Sequence, residues 1–136
     1  MIGIHPFRKH QPSDRLMAKI GDRFARSELA AIEQFGTGTT IPAGEVFVTE
    51  GQIGREVLLI LDGTAAVARS GEEVAVVGAG DFVGERAVLL GEPRNASLIA
   101  TTDLEVIVYS VAEFRSLIYR SYSLDIKLRE LVKTRG

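Results

Sequence analysis

The sequence predicts a mainly β domain with flanking helices, built as an antiparallel β-barrel or jelly roll. Between Thr37 and Tyr109, short runs of strand-forming residues are separated at close intervals by glycine, proline and aspartate. Apolar residues at helical spacing are confined to the two ends of the chain. The chain has 136 residues, 46% of them hydrophobic, which is enough for one packed domain. Many short strands joined by glycine turns are typical of barrels and jelly rolls.

The start of the chain is expected to be an arm followed by two short helices. Residues 1–12 carry two prolines and no hydrophobic period, so they predict a mobile arm, and residues 13–136 a single domain. Ser13 or Asp14 can cap a first helix that ends at Gly21. A second helix is predicted to start after Ser27 and to stop at Gly36. Their buried faces would be formed by Leu16, Met17, Ile20, Leu29, Ile32 and Phe35.

The central segment carries turn signals and alternating strands. The predicted turns are Ala43-Gly44, Asp62-Gly63, Ser70-Gly71 and Gly78-Ala79-Gly80-Asp81. Val74 and Val76 share one strand face, whereas Ala75 and Val77 share the other. The same alternation recurs in Leu104, Val106 and Val108.

Two helices are predicted at the end of the chain. Ser110 and Glu113 have the spacing of a capping box, which predicts a helix after Ser110. Ser123 can cap a last helix. The apolar stripes of the two helices are Phe114, Leu117 and Ile118, then Leu124, Leu128, Leu131 and Val132.

One stretch, from Gly84 to Ser97, carries a ligand-binding pattern. Gly84 allows the backbone to approach a ligand closely, and the residues after it can form a short helix whose N–H groups attract an anion. Arg94 provides a planar, permanently charged fork that suits phosphate oxygens, and Pro93 fixes its approach. Glu85 can accept hydrogen bonds from a sugar hydroxyl. The pattern predicts a small, phosphorylated, hydroxyl-bearing ligand; a surface ion pair of Arg94 with Glu92 is the alternative.

This stretch resembles the phosphate-binding cassette of the cyclic nucleotide-binding domain family. The usual form is Phe-Gly-Glu, a few small or apolar residues, a short loop, then Pro-Arg, a small residue and Ala. The matching residues are Gly84, Glu85, Ala87, Pro93, Arg94 and Ala96. The resemblance extends upstream to a series of glycines and downstream to residues 100–105 and Glu113-Phe114, and it covers roughly residues 14–134. This chain departs from the pattern at Val83, Arg86 and Asn95.

The resemblance implies a role for each candidate residue of the cassette. Arg94 would form a pair of bonds to the cyclic phosphate, and Glu85 would bind the ribose 2′-hydroxyl. Ala87 and Ala96 would act through their backbone N–H groups, and the Asn95 amide can reach the phosphate or the base edge.

The resemblance also implies roles outside these five residues. Arg86 departs from the pattern, and its own side chain predicts two alternatives: it extends outward, or it brings a second cation near the phosphate. An apolar wall beneath the purine would be formed by Val67, Ala75 and Val77. The last helix would be a lid that docks over the base when ligand is bound.

Composition excludes several other classes of protein. The formal net charge is −2 and no long basic run is present, so direct nucleic-acid binding is not expected. The chain has no cysteine, which excludes disulfides and thiolate metal sites and fits a reducing cytoplasm. No apolar run is long enough to span a bilayer. No metal site is expected at His5 and His10, and no cofactor.

The sequence therefore predicts a non-catalytic sensor for a cyclic mononucleotide, cyclic AMP foremost and cyclic GMP second, acting on an effector protein that it does not identify. One alternative is the sensor of a larger transcription regulator, whose DNA-binding module would lie beyond Gly136, or of a channel or kinase. Another is an interaction module whose pocket has lost its ligand.

Overall fold

The structure, a computed structural model, describes residues 11–135. Most of the arm predicted at residues 1–12, including His5 and His10, lies outside the described residues. The helices are α1 (Asp14–Ile20), α2 (Arg26–Gln34), α3 (Glu85–Leu90), α4 (Val111–Arg120) and α5 (Tyr122–Arg135). The strands are β1 (Thr37–Ile41), β2 (Val46–Val48), β3 (Glu56–Asp62), β4 (Thr64–Arg69), β5 (Glu72–Gly78), β6 (Phe82–Val83), β7 (Ser97–Ala100) and β8 (Leu104–Ser110).

The strands form two four-stranded antiparallel sheets, which confirms the predicted fold class. The first sheet has the order β1-β8-β3-β6, and the second has the order β2-β7-β4-β5. In the first sheet, Thr37 pairs with Val108 and Ile41 with Leu104. The helices lie at both ends of the chain, and α3 interrupts the strands, as the sequence predicts.

Strands β3 and β8 are buried on both faces and separate two apolar clusters. One face of β3 carries Leu58 and Ile60, which pack with strand residues inside the barrel. The other face carries Val57 and Leu59, which pack against α1, α2, α4 and α5. Because both faces of β3 are covered, its sequence is a continuous apolar run rather than an alternating one.

The predicted caps are correct at α1 and α4 and wrong at α2 and α5. Ser13 and Ser110 cap their helices through their hydroxyls. Helix α2 already begins at Arg26, because Glu28 reaches back and accepts a hydrogen bond from the Ala25 N–H at 2.8 Å. The hydroxyl of Ser121, not that of Ser123, accepts from the Leu124 N–H in the first turn of α5.

The predicted turns contain the positive φ angles that they require. In the β4–β5 hairpin, Ser70 has φ 52° and Gly71 has φ 81°, the signs of a two-residue primed turn. Gly44, Gly63 and Gly80 also have positive φ. The hairpin brings the ends of β4 and β5 together, with Val67 opposite Ala75.

Ser123 has a different partner, which joins α5 to α2. Its hydroxyl lies 2.7 Å from Glu28 Oε2, and Lys127 Nζ lies 2.7 Å from Glu28 Oε1. Glu28 is only 1% exposed, so these donors replace the water that its carboxylate loses. The first half of α5 is thereby anchored to the start of α2.

Within residues 11–135, no helix has the length and apolar character needed to cross a lipid bilayer.

Candidate functional site

All ten residues predicted for the site line a single cavity. It has a volume of about 270 Å³ and lies between the β4–β5 hairpin, α3 and the segment that enters β7. The predicted residues in its wall are Val67, Ala75, Val77, Gly84, Glu85, Arg86, Ala87, Arg94, Asn95 and Ala96. The fold thus brings the hairpin beside the cassette, although these residues are distant in sequence.

Arg94 is fixed in place by four hydrogen bonds. Its Nη1 donates to the Gly84 carbonyl at 3.2 Å, and its Nη2 donates to the Glu56 carbonyl at 2.9 Å. Its backbone N–H donates to the Gln52 carbonyl, and its own carbonyl accepts from Gly51 N–H. The guanidinium has five N–H groups, so further donors remain for an anion. Arg94 does not form the alternative ion pair with Glu92.

Gly84 leaves space for the Arg94 side chain. It precedes α3 with φ +85°, a conformation that favours glycine. A Cβ atom at this position would overlap Arg94 Nη1 and lie 3.0 Å from the Glu56 carbonyl oxygen. The glycine is therefore required by the packing of Arg94 as well as by the backbone turn. Gly54 has a similar role, since a Cβ there would lie 3.0 Å from Arg94 Cζ.

Two opposite charges meet in the wall of the cavity. Glu85, the first residue of α3, is 2% exposed and interacts electrostatically with Arg94. Burial lowers the pKa of Arg94, and the charges of Glu56 and Glu85 act against that effect without cancelling it. The guanidinium remains charged at neutral pH. The site therefore offers a cation to an anion and a carboxylate to a hydroxyl group.

The Arg86 side chain partly extends outward, which is one of the two positions predicted for it. Its Nε donates to Glu92 Oε1 at 3.2 Å, and its Nη1 donates to the Val132 carbonyl in α5 at 3.0 Å. It nevertheless contributes to the cavity wall. Arg86 thus connects α3 with α5.

The small residues of the cassette lie in the cavity wall. Ala87 and Ala96 are each 6% exposed and contribute to the cavity wall. Asn95 is exposed and also lines the cavity.

Sequence reasoning missed five residues of the cavity wall: Val48, Arg69, Val74, Val83 and Leu98. Alternation assigned Val74 to the face opposite Ala75. A register shift in the β4–β5 pairing at Val67/Ala68 breaks that alternation, and Val74 lines the cavity as well. Val67 and Arg69 are two residues apart in β4, so the strand period could have indicated Arg69.

Among residues 11–135, no group of three or more histidine or acidic side chains could hold a metal ion.

This geometry agrees with the result of comparison with known families. The sequence model of the cyclic nucleotide-binding domain matches residues 39–121, a span that contains the cassette and most of both sheets. The match covers more than half of the chain, and the chain belongs to the cyclic nucleotide-binding domain family.

Curated relatives are much longer proteins. A cyclic nucleotide-gated potassium channel of Rhizobium etli is 34% identical over 77 residues, which are 57% of this chain and 21% of the channel. A cAMP-dependent protein kinase regulatory subunit of Schizosaccharomyces pombe is 31% identical over 104 residues, 76% of this chain and 24% of the subunit. The chain therefore spans only about a fifth to a quarter of the length of these relatives.

Solved structures share the fold. The cyclic nucleotide-binding domain of Methylobacillus flagellatus superposes with a TM-score of 0.71 at 24% identity, covering 99% of this chain and 86% of that one. At this identity the likeness concerns the fold alone.

Proposed function

We propose that this chain is a sensor that binds one cyclic mononucleotide, with cyclic AMP preferred over cyclic GMP. The observation that carries the proposal is the fixed Arg94 guanidinium beside the buried Glu85 in one cavity. The S. pombe relative is named for its dependence on cAMP, which supports a cyclic nucleotide as the ligand.

The cavity has a chemically distinct region for each part of such a ligand. Arg94 binds the cyclic phosphate, with the backbone N–H groups of Ala87 and Ala96 as further donors. Glu85 accepts a hydrogen bond from the ribose 2′-hydroxyl. The purine packs on Val67, Ala75 and Val77, and Asn95 reaches the phosphate or the base edge.

We further propose that the protein has no catalytic step and acts in the cytoplasm on an effector protein. Residues 13–136 form its single sensor domain. Ligand binding is coupled to the position of α5, which covers the base. Such a coupling transmits only the difference in ligand affinity between the two positions of the helix. The same domain can serve within a longer regulator, channel or kinase.

Isothermal titration tests the proposal with cyclic AMP, cyclic GMP and linear AMP. We expect one-to-one binding of cyclic AMP, weaker binding of cyclic GMP, and far weaker binding of linear AMP, whose phosphate has a different shape and charge. Equal affinity for cyclic and linear AMP would contradict the assignment of the cyclic phosphate. Absence of binding by all three would favour the interaction module without a ligand.

Variants of Arg94 test the same proposal at the guanidinium group on which it rests. Loss of a desolvated charged partner costs about 2–5 kcal/mol, so Arg94→Ala should weaken cyclic AMP binding about 30-fold to several thousand-fold. Arg94→Lys should recover part of the affinity, because an ammonium lacks the two-pronged fork. Arg115→Ala is the matched control, since Arg115 is exposed on α4 outside the cavity wall. Thermal unfolding of each variant separates lost binding from lost folding.

A further inference from the structure

Helix α5 is held to the rest of the domain by polar contacts in each of its halves. Near its start, Ser123 and Lys127 bind Glu28 of α2. Near its end, the Val132 carbonyl accepts a hydrogen bond from Arg86 Nη1 at 3.0 Å. The first contact joins α5 to an element outside the cavity wall. The second joins α5 to a residue that itself lines the cavity.

The contact at Val132 places a cation against the backbone of α5. Val132 lies in the second half of α5, and its carbonyl accepts the hydrogen bond from Arg86 Nη1 at 3.0 Å. A charged donor makes such a bond stronger than a neutral donor would. Arg86 supplies both the hydrogen bond and the charge.

The ion pair between Arg86 and Glu92 aligns the guanidinium for this contact. Both side chains are partly exposed, 29% for Arg86 and 47% for Glu92, so the pair by itself contributes little stability. Its geometric effect is greater, because Nε is engaged with Glu92 while Nη1 points to α5. Val132 is 7% exposed, so its end of α5 is packed against the domain when the contact is made.

We propose that Arg86 is a positioning residue that fastens the C-terminal turn of α5 to the cassette helix, so that the order of the cavity and the docking of α5 depend on each other. The part of this inference that concerns ligand rests on the proposed function. By linkage, if docking of α5 strengthens ligand binding, ligand must strengthen docking by the same factor. Arg86, to which we assign the coupling, is one of the three positions at which this chain departs from the usual cassette pattern.

Hydrogen exchange of the full chain without ligand tests the fastening first. The variant is Arg86→Met, which keeps the aliphatic stem and the helix propensity but removes every donor. We expect exchange in residues 128–135 to become about 5- to 30-fold faster, as for loss of one hydrogen bond from a partly exposed donor, with little change in residues 122–126. Arg129→Met is the matched control: Arg129 lies on α5 and pairs with Asp125 of the same helix. Unchanged exchange in residues 128–135 of Arg86→Met would overturn the proposal.

Titration and exchange with cyclic AMP then test the coupling. Arg86→Met should bind cyclic AMP about 5- to 30-fold more weakly, and ligand should protect its residues 128–135 less than those of the parent. Arg86→Lys should recover part of both effects, because one ammonium can still donate to the carbonyl. Weaker binding with α5 exchange unchanged would mean that Arg86 contacts the ligand directly, and would overturn the proposal. So would faster exchange with affinity unchanged.

The two proposals fail in different ways. A parent protein that binds no cyclic nucleotide would contradict the proposed function, while the comparison without ligand would still decide whether Arg86 holds α5. A parent that binds and protects α5, with Arg86→Met behaving identically, would contradict the role of Arg86 alone.

Discussion

At the scale of single residues, the site depends on how the chain stabilises a buried carboxylate, that of Glu85, beside the partly buried guanidinium of Arg94. Arg94 donates to two backbone carbonyls, and Glu85 is placed in the same cavity wall with its charge acting on the guanidinium. Neither charge would be favourable in an apolar cavity without such partners. The arrangement leaves Arg94 charged and oriented before any ligand arrives, which lowers the cost of ordering it on binding.

The assignment of Glu85 to the ribose can be tested by a double comparison. We expect 2′-deoxy cyclic AMP to bind the parent about 10- to 150-fold more weakly than cyclic AMP, as for loss of a hydrogen bond to a charged group. In Glu85→Gln this difference should shrink, because the charged acceptor is absent from both measurements. Titration of the two nucleotides against the two proteins gives the coupling free energy between Glu85 and the ribose 2′-hydroxyl. Independent, additive losses would show that Glu85 does not contact the ribose.

Gly84→Ala should affect both stability and binding. The positive φ costs about 1–2 kcal/mol for an alanine, and its Cβ would displace the Arg94 guanidinium. We expect a lower free energy of unfolding and cyclic AMP affinity reduced about 10-fold or more. Gly44→Ala is the control, because Gly44 has φ +90° but no atom within 4 Å of an added Cβ. Equal affinities of the two variants would show that the position of Arg94 does not govern binding.

At the scale of elements, α5 is part of the core and also a partner of the cassette. Leu124 and Leu128 are fully buried among residues of α2, α4 and the first sheet, and Leu131 packs against them. The predicted apolar stripe is therefore confirmed. Removal of the whole helix would expose this cluster, so point variants are the better probes of its role.

The Glu28 contact makes the stability of α5 docking depend on pH. Burial raises the pKa of Glu28, but hydrogen bonds from Lys127, Ser123 and the Ala25 N–H outweigh it, and the net pKa is lowered. A carboxyl with a lowered pKa in the folded state contributes stability above its unfolded pKa, near 4.5, and this is lost as pH falls through the folded value. Glu28→Gln should remove that contribution.

We expect Glu28→Gln to lower the free energy of unfolding by about 1–3 kcal/mol at pH 7, and by less at an acidic pH below the lowered pKa of Glu28, where the parent carboxyl also becomes protonated. Urea unfolding at both pH values measures the difference. Glu130→Gln serves as the control, because Glu130 is 63% exposed and pairs only loosely with Lys133 at 3.4 Å. A difference between Glu28→Gln and the parent that does not shrink at low pH would exclude ionisation as its cause.

At the scale of the whole molecule, the first sheet separates the ligand cavity from most of the helical layer. The inner faces of the strands and the hairpin surround one cluster, and the helices cover the other. Helix α3 contacts both the central strand β3 and helix α5. In the proposed coupling, α3 is the element through which a change in the cavity would reach α5.

Ligand-coupled docking of α5 predicts a local change in hydrogen exchange. Saturating cyclic AMP should slow exchange in residues 123–134 by more than it does in α2, because α5 contacts the cassette helix α3 whereas no residue of α2 lines the cavity. Hydrogen exchange with and without cyclic AMP measures this, and linear AMP is the control. No ligand effect on these residues, in a protein that binds cyclic AMP, would mean that α5 is a passive part of the core.

The sequence alone determined the fold class and the ligand-binding pattern of the cassette, because these depend on local signals, and its resemblance to a known family supplied the remaining candidate residues. Glycine turns, apolar periodicity and the spacing from Gly84 to Arg94 can all be read along the chain.

Prediction from sequence failed where two neighbouring residues could each cap the same helix. Ser27 and Ser123 are good caps in sequence, but Glu28 and Ser121 provide the caps. Only the tertiary structure decided these contacts, since Ser123 instead binds Glu28 across 95 residues of chain. It also placed Arg86 on the Val132 carbonyl, 46 residues away, and Val74 in the cavity wall through a register shift. Local signals fix the elements, whereas partners distant in sequence depend on how the elements pack.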